Sequence, residues 1–209
     1  GTRFWPKSRK ENPKQLIDLM GKGSLIRLTV NRLKNIDPPE KIYVVASSFL
    51  CKKISNEIPE IPISNFIEEP SGKNTAPAIG LAAIHIYKIN PNAVMAIYPA
   101  DHLIKGQREF NETIESAKIM AKKNDALVTI GVNPTYPSTG YGYIHCSDNK
   151  VMSMQNIYKV KNFTEKPDKK SAVNFCNSGE FLWNAGIFIW SAQTILEAIA
   201  NKMPDLNIG

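Results

Sequence analysis

The sequence has few of the residues from which disulfide frameworks and zinc centres are built. Three cysteines and three histidines occur in 209 residues. They are widely separated and include no C-x-x-C pair, so neither a zinc-ligand spacing nor a disulfide pattern is present. An odd number of dispersed cysteines is typical of a reduced intracellular compartment. We therefore expect a cytoplasmic protein without a zinc site.

Long apolar runs and dense basic blocks are also missing. No apolar run is long enough to cross a bilayer, and no segment has the pattern of a signal peptide. The net charge of +7 comes from scattered lysines and arginines without interleaved aromatic residues. We therefore expect no membrane and no nucleic-acid partner, and the positive charge favours small anionic substrates.

The sequence shows no arrangement for hydrolytic catalysis. It has no Ser/His/Asp or Cys/His pattern and no carboxylate pair placed for glycoside hydrolysis. That absence is informative if the nucleophile is a phosphate, because a phosphate oxygen is already ionised near neutral pH and needs no general base. Alignment, a metal ion and cationic groups would then carry the catalysis.

Secondary-structure signals alternate up to residue 132. Apolar residues make up 43% of the chain and charged residues 22%, as in ordinary globular proteins. Strands are predicted at 41–47, 61–68, 93–98 and 126–132, and helices at 24–35, 49–57, 75–88 and 110–123. The alternation predicts an α/β fold with one mixed, mostly parallel sheet flanked by helices, and with ligands at the carboxyl ends of its strands.

The pattern changes from residue 133 onward. A turn-rich loop enters a strand through Cys146, further strands are predicted at 157–164 and 183–190, and helices at 168–177 and 192–202. This half mixes strand directions and elaborates the sheet rather than forming an independent domain. The chain is therefore divided into the halves 1–132 and 133–209.

The first residues have the composition of a phosphate-binding loop. Gly1, Thr2 and Arg3 are followed, after a proline, by Lys14. Glycine lets the backbone approach phosphate oxygens, while arginine and lysine supply charge and hydrogen-bond donors. A solvated basic N-terminus is the alternative interpretation.

Asp101 follows the predicted strand 93–98 and should lie at its carboxyl end, where α/β proteins bind ligands. One carboxylate together with substrate phosphates is an ordinary arrangement for Mg²⁺. The alternative is an aspartate that caps the next turn or helix.

A turn-rich loop at 69–75 leads into a predicted helix of small residues. The loop contains Glu69, Gly72, Asn74 and Thr75, of which Asn74 or Thr75 can cap the helix. Small residues allow the close approach of another backbone or of a ligand, and tight helix packing is the alternative.

Polar groups in the second half lie at turns and strand ends. Glu165 and Lys166 close an apolar strand, Asn184 lies among aromatic and aliphatic residues, and Gly142 stands between two tyrosines, where a ring could rest on bare backbone. Lys166 could meet a phosphate, and Glu165 and Asn184 could bond sugar hydroxyls. A solvated charge pair and an amide bonded to the backbone are the alternatives.

Six segments occur in one order along nearly the whole chain. They are Gly1-Thr2-Arg3 with Pro13-Lys14, residues 69–78, Pro99-Ala100-Asp101-His102, residues 139–144, residues 163–167, and Trp183-Asn184-Ala185-Gly186. Together they resemble the sugar-1-phosphate nucleotidyltransferases, most closely the members that make GDP-mannose. The resemblance implies a Rossmann-like nucleotidyltransferase fold and a reaction of GTP with mannose 1-phosphate that gives GDP-mannose and pyrophosphate with Mg²⁺.

The resemblance also implies two groups of site residues. The nucleotide group is Gly1, Thr2, Arg3, Lys14, Glu69, Gly72, Asn74, Thr75 and Asp101. The sugar-phosphate group is Gly142, Glu165, Lys166 and Asn184. The implied catalytic residues are Arg3 and Lys14 at the departing pyrophosphate, Lys166 at the attacking phosphate, and Asp101 as the magnesium ligand.

Two features of that family have no match in this sequence. The family's loop begins with more glycines after an apolar strand, and a second metal-binding aspartate follows the sugar-binding segments. We therefore expect residues 1–209 to be a catalytic domain that is truncated at both ends. Two alternatives remain. One is a relative that uses another nucleotide and hexose 1-phosphate, and the other is a non-catalytic regulatory subunit that binds a sugar nucleotide. The protein could form a homodimer.

Overall fold

The computed structural model of the chain describes residues 5–9, 13–72, 74–150 and 156–208. The described elements are helices and strands in the order α1 Leu25–Leu33, β1 Val44–Ser47, α2 Ser48–Glu57, β2 Phe66–Glu69, α3 Thr75–Ile89, β3 Val94–Ile97, α4 Gln107–Asn124, β4 Val128–Val132, β5 Tyr143–Lys150, β6 Tyr158–Thr164, α5 Lys169–Ser178, β7 Phe181–Ser191, α6 Ala192–Lys202 and α7 Pro204–Ile208. Short 3-10 helices precede α1, β1 and β2 at Lys14–Leu16, Pro39–Lys41 and Ile63–Asn65.

The chain forms two compact units. One unit contains the residues up to Val128 and those from Ile189 onward, and the other contains Thr129–Phe188. The predicted division at 132/133 differs from this boundary, and residues 189–209 lie in the first unit instead of the second half. The cause is the packing of α6 against α3, where a Cβ atom built on Gly80 would lie 3.4 Å from Cδ1 of Ile199.

The core of the first unit lies between α1, β1 and α2. The side chain of Ser24 accepts a hydrogen bond from the backbone N–H of Arg27 and caps α1, as the sequence predicts. The apolar side of α1 then packs against the two following elements, and the buried core includes Ile26, Val30, Val44 and Ile54. β1 runs parallel to β2, with Val44 opposite Phe66 and Ser47 opposite Glu69.

The second unit is built around antiparallel pairing of β5. Tyr143 lies opposite Thr164 of β6 on one side and opposite Trp183 of β7 on the other. β4 pairs with β7. The hydroxyl of Tyr143, a fully buried residue, donates to the carbonyl oxygen of Ser138 at 2.9 Å and thereby ties the preceding loop to the sheet.

The mixed α/β architecture is confirmed, but the single continuous sheet is not. β1 and β2 form a separate two-stranded sheet in the described residues, and the neighbour of β3 is β7. Hydrophobic alternation predicts that a segment is a strand and does not specify its partner, because any exposed strand edge satisfies the same backbone groups. None of the helices in the described ranges is both long and apolar enough to cross a membrane.

Candidate functional site

Lys14 and Asp101 meet in the first unit although 87 positions separate them in the sequence. Lys14 begins a 3-10 helix after the extended Pro13, and Asp101 lies in the turn after β3. Nζ of Lys14 donates to Oδ2 of Asp101 at 2.5 Å, and the side chains are 36% and 22% exposed. Both charges are therefore partly accessible, and the pair can exchange partners with an anionic ligand.

The turn that carries Asp101 is fastened to α1 by an arginine. Arg32 is 7% exposed, and its Nη2 donates to the carbonyl oxygen of His102 at 2.9 Å. Its guanidinium carbon lies 5.7 Å from the ring centroid of Phe110, in the first turn of α4. Sequence reasoning missed Arg32, and the signal that could have found it is a cation on the helix 24–35 close to its apolar stripe.

Burial shapes the charges around this turn. Desolvation lowers the pKa of His102; Asp101 acts in the opposite direction, and the cationic Arg32 and Lys14 reinforce the lowering. Desolvation also lowers the pKa of Arg32, although Tyr98 acts in the opposite direction. An arginine retains its charge under such a shift, so a positive charge persists beneath the Asp101 turn.

The loop between β2 and α3 begins at a strand end, as predicted. Glu69 is the last residue of β2 and lies opposite Ser47. Asn74 occupies the N-cap position of α3 with φ 72° and ψ −168°, a region nearly confined to glycine, and its side chain makes no capping hydrogen bond. Asn74 and Thr75 are exposed, and a Cβ atom on Gly72 would meet no atom within 4 Å. The chain itself therefore leaves this loop open on its outer side.

Asp101 presents a single carboxylate of the kind that Mg²⁺ uses when substrate phosphates and water supply its other ligands. No group of three or more His, Cys, Asp and Glu side chains that could hold a metal occurs in the part of the chain that the structure describes. Asp101 offers one partly exposed carboxylate, which accepts from the ammonium of Lys14. Mg²⁺ commonly takes one or two carboxylates and completes its shell with phosphate oxygens and water.

The sugar-phosphate group of the second unit is assembled largely by backbone pairing. The N–H of Asn184 donates to the carbonyl oxygen of Gly142 at 2.8 Å. A Cβ atom on Gly142 would lie 2.7 Å from Cζ of Phe163 and 2.8 Å from Oε2 of Glu165. The ring of Phe163 and the carboxylate of Glu165 therefore lie against the bare backbone of Gly142, and Asn184 is hydrogen-bonded to the same residue.

The Asn184 side chain is fixed through its oxygen. Oδ1 accepts from the hydroxyl of Thr129 and from the backbone N–H of Gly186, both at 3.0 Å. Gly186 has φ 67°, a conformation that favours glycine within this strand. Nδ2 of Asn184 has no hydrogen-bond partner among the described residues, so the amide is held through Oδ1 and its donor side is unused. Thr129 was also missed by sequence reasoning, because it lies 55 positions away.

Glu165 and Lys166 form a neighbouring charge pair just beyond β6. Nζ of Lys166 donates to Oε1 of Glu165, and their side chains are 56% and 57% exposed. Lys166 also takes a left-handed φ of 43°. Left-handed backbone in a non-glycine residue costs about 1–3 kcal/mol and concentrates at functional sites. The solvated ion pair, which was the alternative interpretation of these two residues, is therefore present. It lies in a strained turn beside Gly142.

The structure thus brings together Lys14 with Asp101 in one unit, and Gly142 with Glu165, Lys166 and Asn184 in the other. Glu69, Gly72, Asn74 and Thr75 belong to one loop of the first unit. Gly1, Thr2 and Arg3 lie outside the described residues.

Comparisons with known proteins show what the chain is similar to. A family model described as nucleotidyl transferase matches residues 1–207. A mannose-1-phosphate guanylyltransferase of Escherichia coli is 37% identical over 99% of this chain and 45% of its own length. One of Klebsiella pneumoniae is 36% identical, with 99% of this chain and 44% of the relative covered. The chain therefore spans about half the length of the curated relatives it matches.

A solved structure has a similar fold. The crystal structure of a mannose-1-phosphate geranyltransferase from Thermus thermophilus matches with a TM-score of 0.86 at 26% identity. The match covers 99% of this chain and 58% of that chain.

Proposed function

The chain belongs to the nucleotidyl transferase family, and we propose that it transfers GMP from GTP to mannose 1-phosphate. An oxygen of the sugar phosphate forms a bond to the α-phosphorus of GTP. The bond from that phosphorus to the bridging oxygen of the β-phosphate breaks, and its electron pair leaves with pyrophosphate. The product is GDP-mannose. The choice of nucleotide and sugar is supported by the names of the 36–37% identical relatives.

The contact between Lys14 and Asp101 is the observation that carries the proposal. Two residues selected for phosphate and metal binding, 87 positions apart, are 2.5 Å from each other. The ammonium of Lys14 would move to the triphosphate and, with Arg3, would neutralise the departing pyrophosphate. Asp101 would then hold Mg²⁺, which supplies charge neutralisation along the phosphates when bound.

The base and ribose of the nucleotide would bind at the loop after β2. A Cβ atom on Gly72 would meet no atom within 4 Å, so its backbone is open to a ligand, and Asn74 and Thr75 are exposed at the start of α3. Glu69 stands at the strand end from which the loop leaves. These groups would meet a base and a ribose through backbone and amide contacts.

Four residues of the second unit would bind the sugar phosphate. Nδ2 of Asn184 would donate to a sugar hydroxyl, because Oδ1 is already occupied by Thr129 and Gly186. Glu165 would accept from sugar hydroxyls, and Lys166 would exchange its contact with Glu165 for the phosphate. Because Gly142 has no side chain, the carboxylate of Glu165 can lie directly against its backbone and stay near Asn184. The attacking phosphate is already ionised, so no general base is required.

Pyrophosphate release with a panel of nucleotides and hexose 1-phosphates tests the proposal. We expect GTP with mannose 1-phosphate to be the preferred pair and activity to require Mg²⁺. A preference for dTTP with glucose 1-phosphate would assign the chain to another specificity. Binding of GDP-mannose without turnover with any pair would favour the regulatory alternative.

A cytoplasmic location is part of the same proposal. It is supported by the three cysteines, all of which are free thiols in the structure. Fractionation of cells that produce the protein would test it, with recovery outside the cytoplasm as the contradicting result.

A further inference from the structure

Arg32 is a buried cation with no acidic partner among the residues that the structure describes. Only 7% of its surface is exposed to solvent, and it forms no ion pair with any described residue. Two other cations of the same region behave differently, because Arg27 and Lys34 both bind Glu60, at 2.6 and 3.0 Å. An uncompensated buried charge is costly, and apolar residues of similar volume are often at least as stabilising as a buried ion. Packing alone therefore does not account for an arginine here.

The contacts of Arg32 converge on the segment between β3 and α4. The guanidinium donates to the carbonyl oxygen of His102 and lies over the ring of Phe110. The backbone carbonyl of Arg32 accepts from Nε2 of Gln107 at 3.3 Å. One residue of α1 thus holds this segment at its middle, through the carbonyl oxygen that directly follows Asp101, and contacts the first turn of α4.

We propose that Arg32 is a positioning residue that holds the 98–106 turn so that the Asp101 carboxylate faces Lys14 and the metal-bound triphosphate. The part of this proposal that concerns the ligand rests on the proposed function. A lysine could keep the charge, but it lacks the planar fork that bonds the carbonyl while stacking on a ring. The proposal therefore requires the guanidinium and not merely a cation.

The experiment compares Arg32→Gln and Arg32→Lys with Arg27→Gln in the full chain. Arg27 is on the same helix, and Arg27→Gln removes the ion pair with Glu60. This variant is therefore a matched control for damage to α1. The first measurement is hydrogen exchange of backbone amides at 100–107. We expect Arg32→Gln to accelerate exchange in this segment about fivefold, as expected for the loss of one hydrogen bond. Exchange there should be unchanged in Arg27→Gln.

The second measurement is GTP affinity with and without Mg²⁺. We expect the GTP affinity of Arg32→Gln without Mg²⁺ to stay within about twofold of the wild type. The factor by which Mg²⁺ raises the GTP affinity should be about tenfold smaller than in the wild type. Arg32→Lys should recover only part of this increase. The double variant Arg32→Gln/Asp101→Asn should bind GTP in the presence of Mg²⁺ as weakly as Asp101→Asn alone, because both changes act on the same carboxylate.

The two measurements separate the proposal from the function on which it rests. Unchanged exchange at 100–107 in Arg32→Gln, or full recovery in Arg32→Lys, would overturn the positioning role. Accelerated exchange in the Arg32→Gln variant of a protein whose wild type binds no GTP would support the positioning role and contradict the proposed function. If Arg32→Gln does not fold, Arg32→Lys carries both measurements, with smaller shifts in the same direction expected.

Discussion

The two groups of candidate residues are built in different ways. In the first unit, Lys14 at the start of a 3-10 helix and Asp101 in the turn after β3 are joined by an ion pair between their side chains. In the second unit, a backbone hydrogen bond joins Gly142 and Asn184. Glu165 occupies the space that a side chain at position 142 would need.

This difference separates chemistry from architecture. A pair of partly exposed opposite charges contributes little to stability and is free to exchange partners with a charged ligand. A glycine enclosed by neighbours in a sheet contributes to the fold and to the shape of the site at once. Changes in the first group should therefore reduce turnover without unfolding the protein, whereas some changes in the second group should do both.

The largest effect is expected from Asp101→Asn. The substitution keeps the volume of the side chain and removes its charge, so turnover should fall by roughly 10³-fold through the loss of metal-assisted charge stabilisation. Pyrophosphate release at saturating Mg²⁺ measures it. Asp37→Asn is the control, because Asp37 pairs with Lys118 at 3.0 Å outside the site, and it should change turnover less than about twofold. Equal turnover in Asp101→Asn and wild type would remove Asp101 from the metal role.

One substitution made in both groups tests the comparison directly. Gly142→Ala should destabilise the protein by about 1–2 kcal/mol, because the new Cβ would lie within 2.8 Å of Phe163 and Glu165. Gly72→Ala should change stability by less than about 0.5 kcal/mol, since nothing lies within 4 Å. Denaturant unfolding measures both. If the backbone at Gly72 approaches the nucleotide, Gly72→Ala should still weaken GTP binding about tenfold; unaltered binding would release this glycine from the site.

Lys166 allows charge and backbone strain to be distinguished. Lys166→Ala and Lys166→Gly both remove the ammonium, and both should raise the KM for mannose 1-phosphate by about 10–100-fold while changing GTP affinity much less. Only the glycine variant relieves the φ of 43°, and it should be more stable than the alanine variant by about 0.5–1 kcal/mol. Steady-state kinetics and thermal melting measure the two effects. A larger effect on GTP than on the sugar phosphate would reassign Lys166.

The smallest effect is a difference in acid sensitivity between the units. Burial alone would raise the pKa of Glu60, but backbone and side-chain hydrogen bonds, including those from Arg27 and Lys34, lower it from 4.5 to about 2. The folded state therefore gains stability above pH 4.5 and loses it as the pH falls toward 2, by about 1–3 kcal/mol in total. Unfolding at about pH 5 and about pH 3 measures the loss, which Glu60→Gln should reduce.

A second-unit carboxylate is the control for this pH effect. Glu180 accepts a contact from His145 at 3.2 Å, but its side chain is 49% exposed. Glu180→Gln should leave the acid sensitivity as it is in the wild type, because exposed pairs contribute little. An equal response in the two variants would show that the first unit is not the acid-sensitive one.

Local signals predicted the elements well. The cap of α1 by Ser24 and the bounds of α6 agree with the structure, and α5 is shifted by one residue from the predicted 168–177 because Asp168 is its N-cap. The extent of β2 was wrong, because a 3-10 helix at Ile63–Asn65 takes the first part of the predicted segment. The helix α7 was not predicted, since five residues carry too little periodicity. The nucleotidyltransferase fold implied by the resemblance is confirmed by the similarity to the Thermus thermophilus structure.

The sequence by itself determined which residues carry charge, which segments form helices and strands, and to which family the chain belongs. Those features depend on side-chain chemistry, local periodicity and the order of motifs. Only the tertiary structure decided that Lys14 reaches Asp101, that Phe163 covers Gly142, and that Arg32 lies under the Asp101 turn. These contacts join residues far apart in the sequence, up to 87 positions for Lys14 and Asp101. They depend on how the strands and helices pack, which no local pattern specifies.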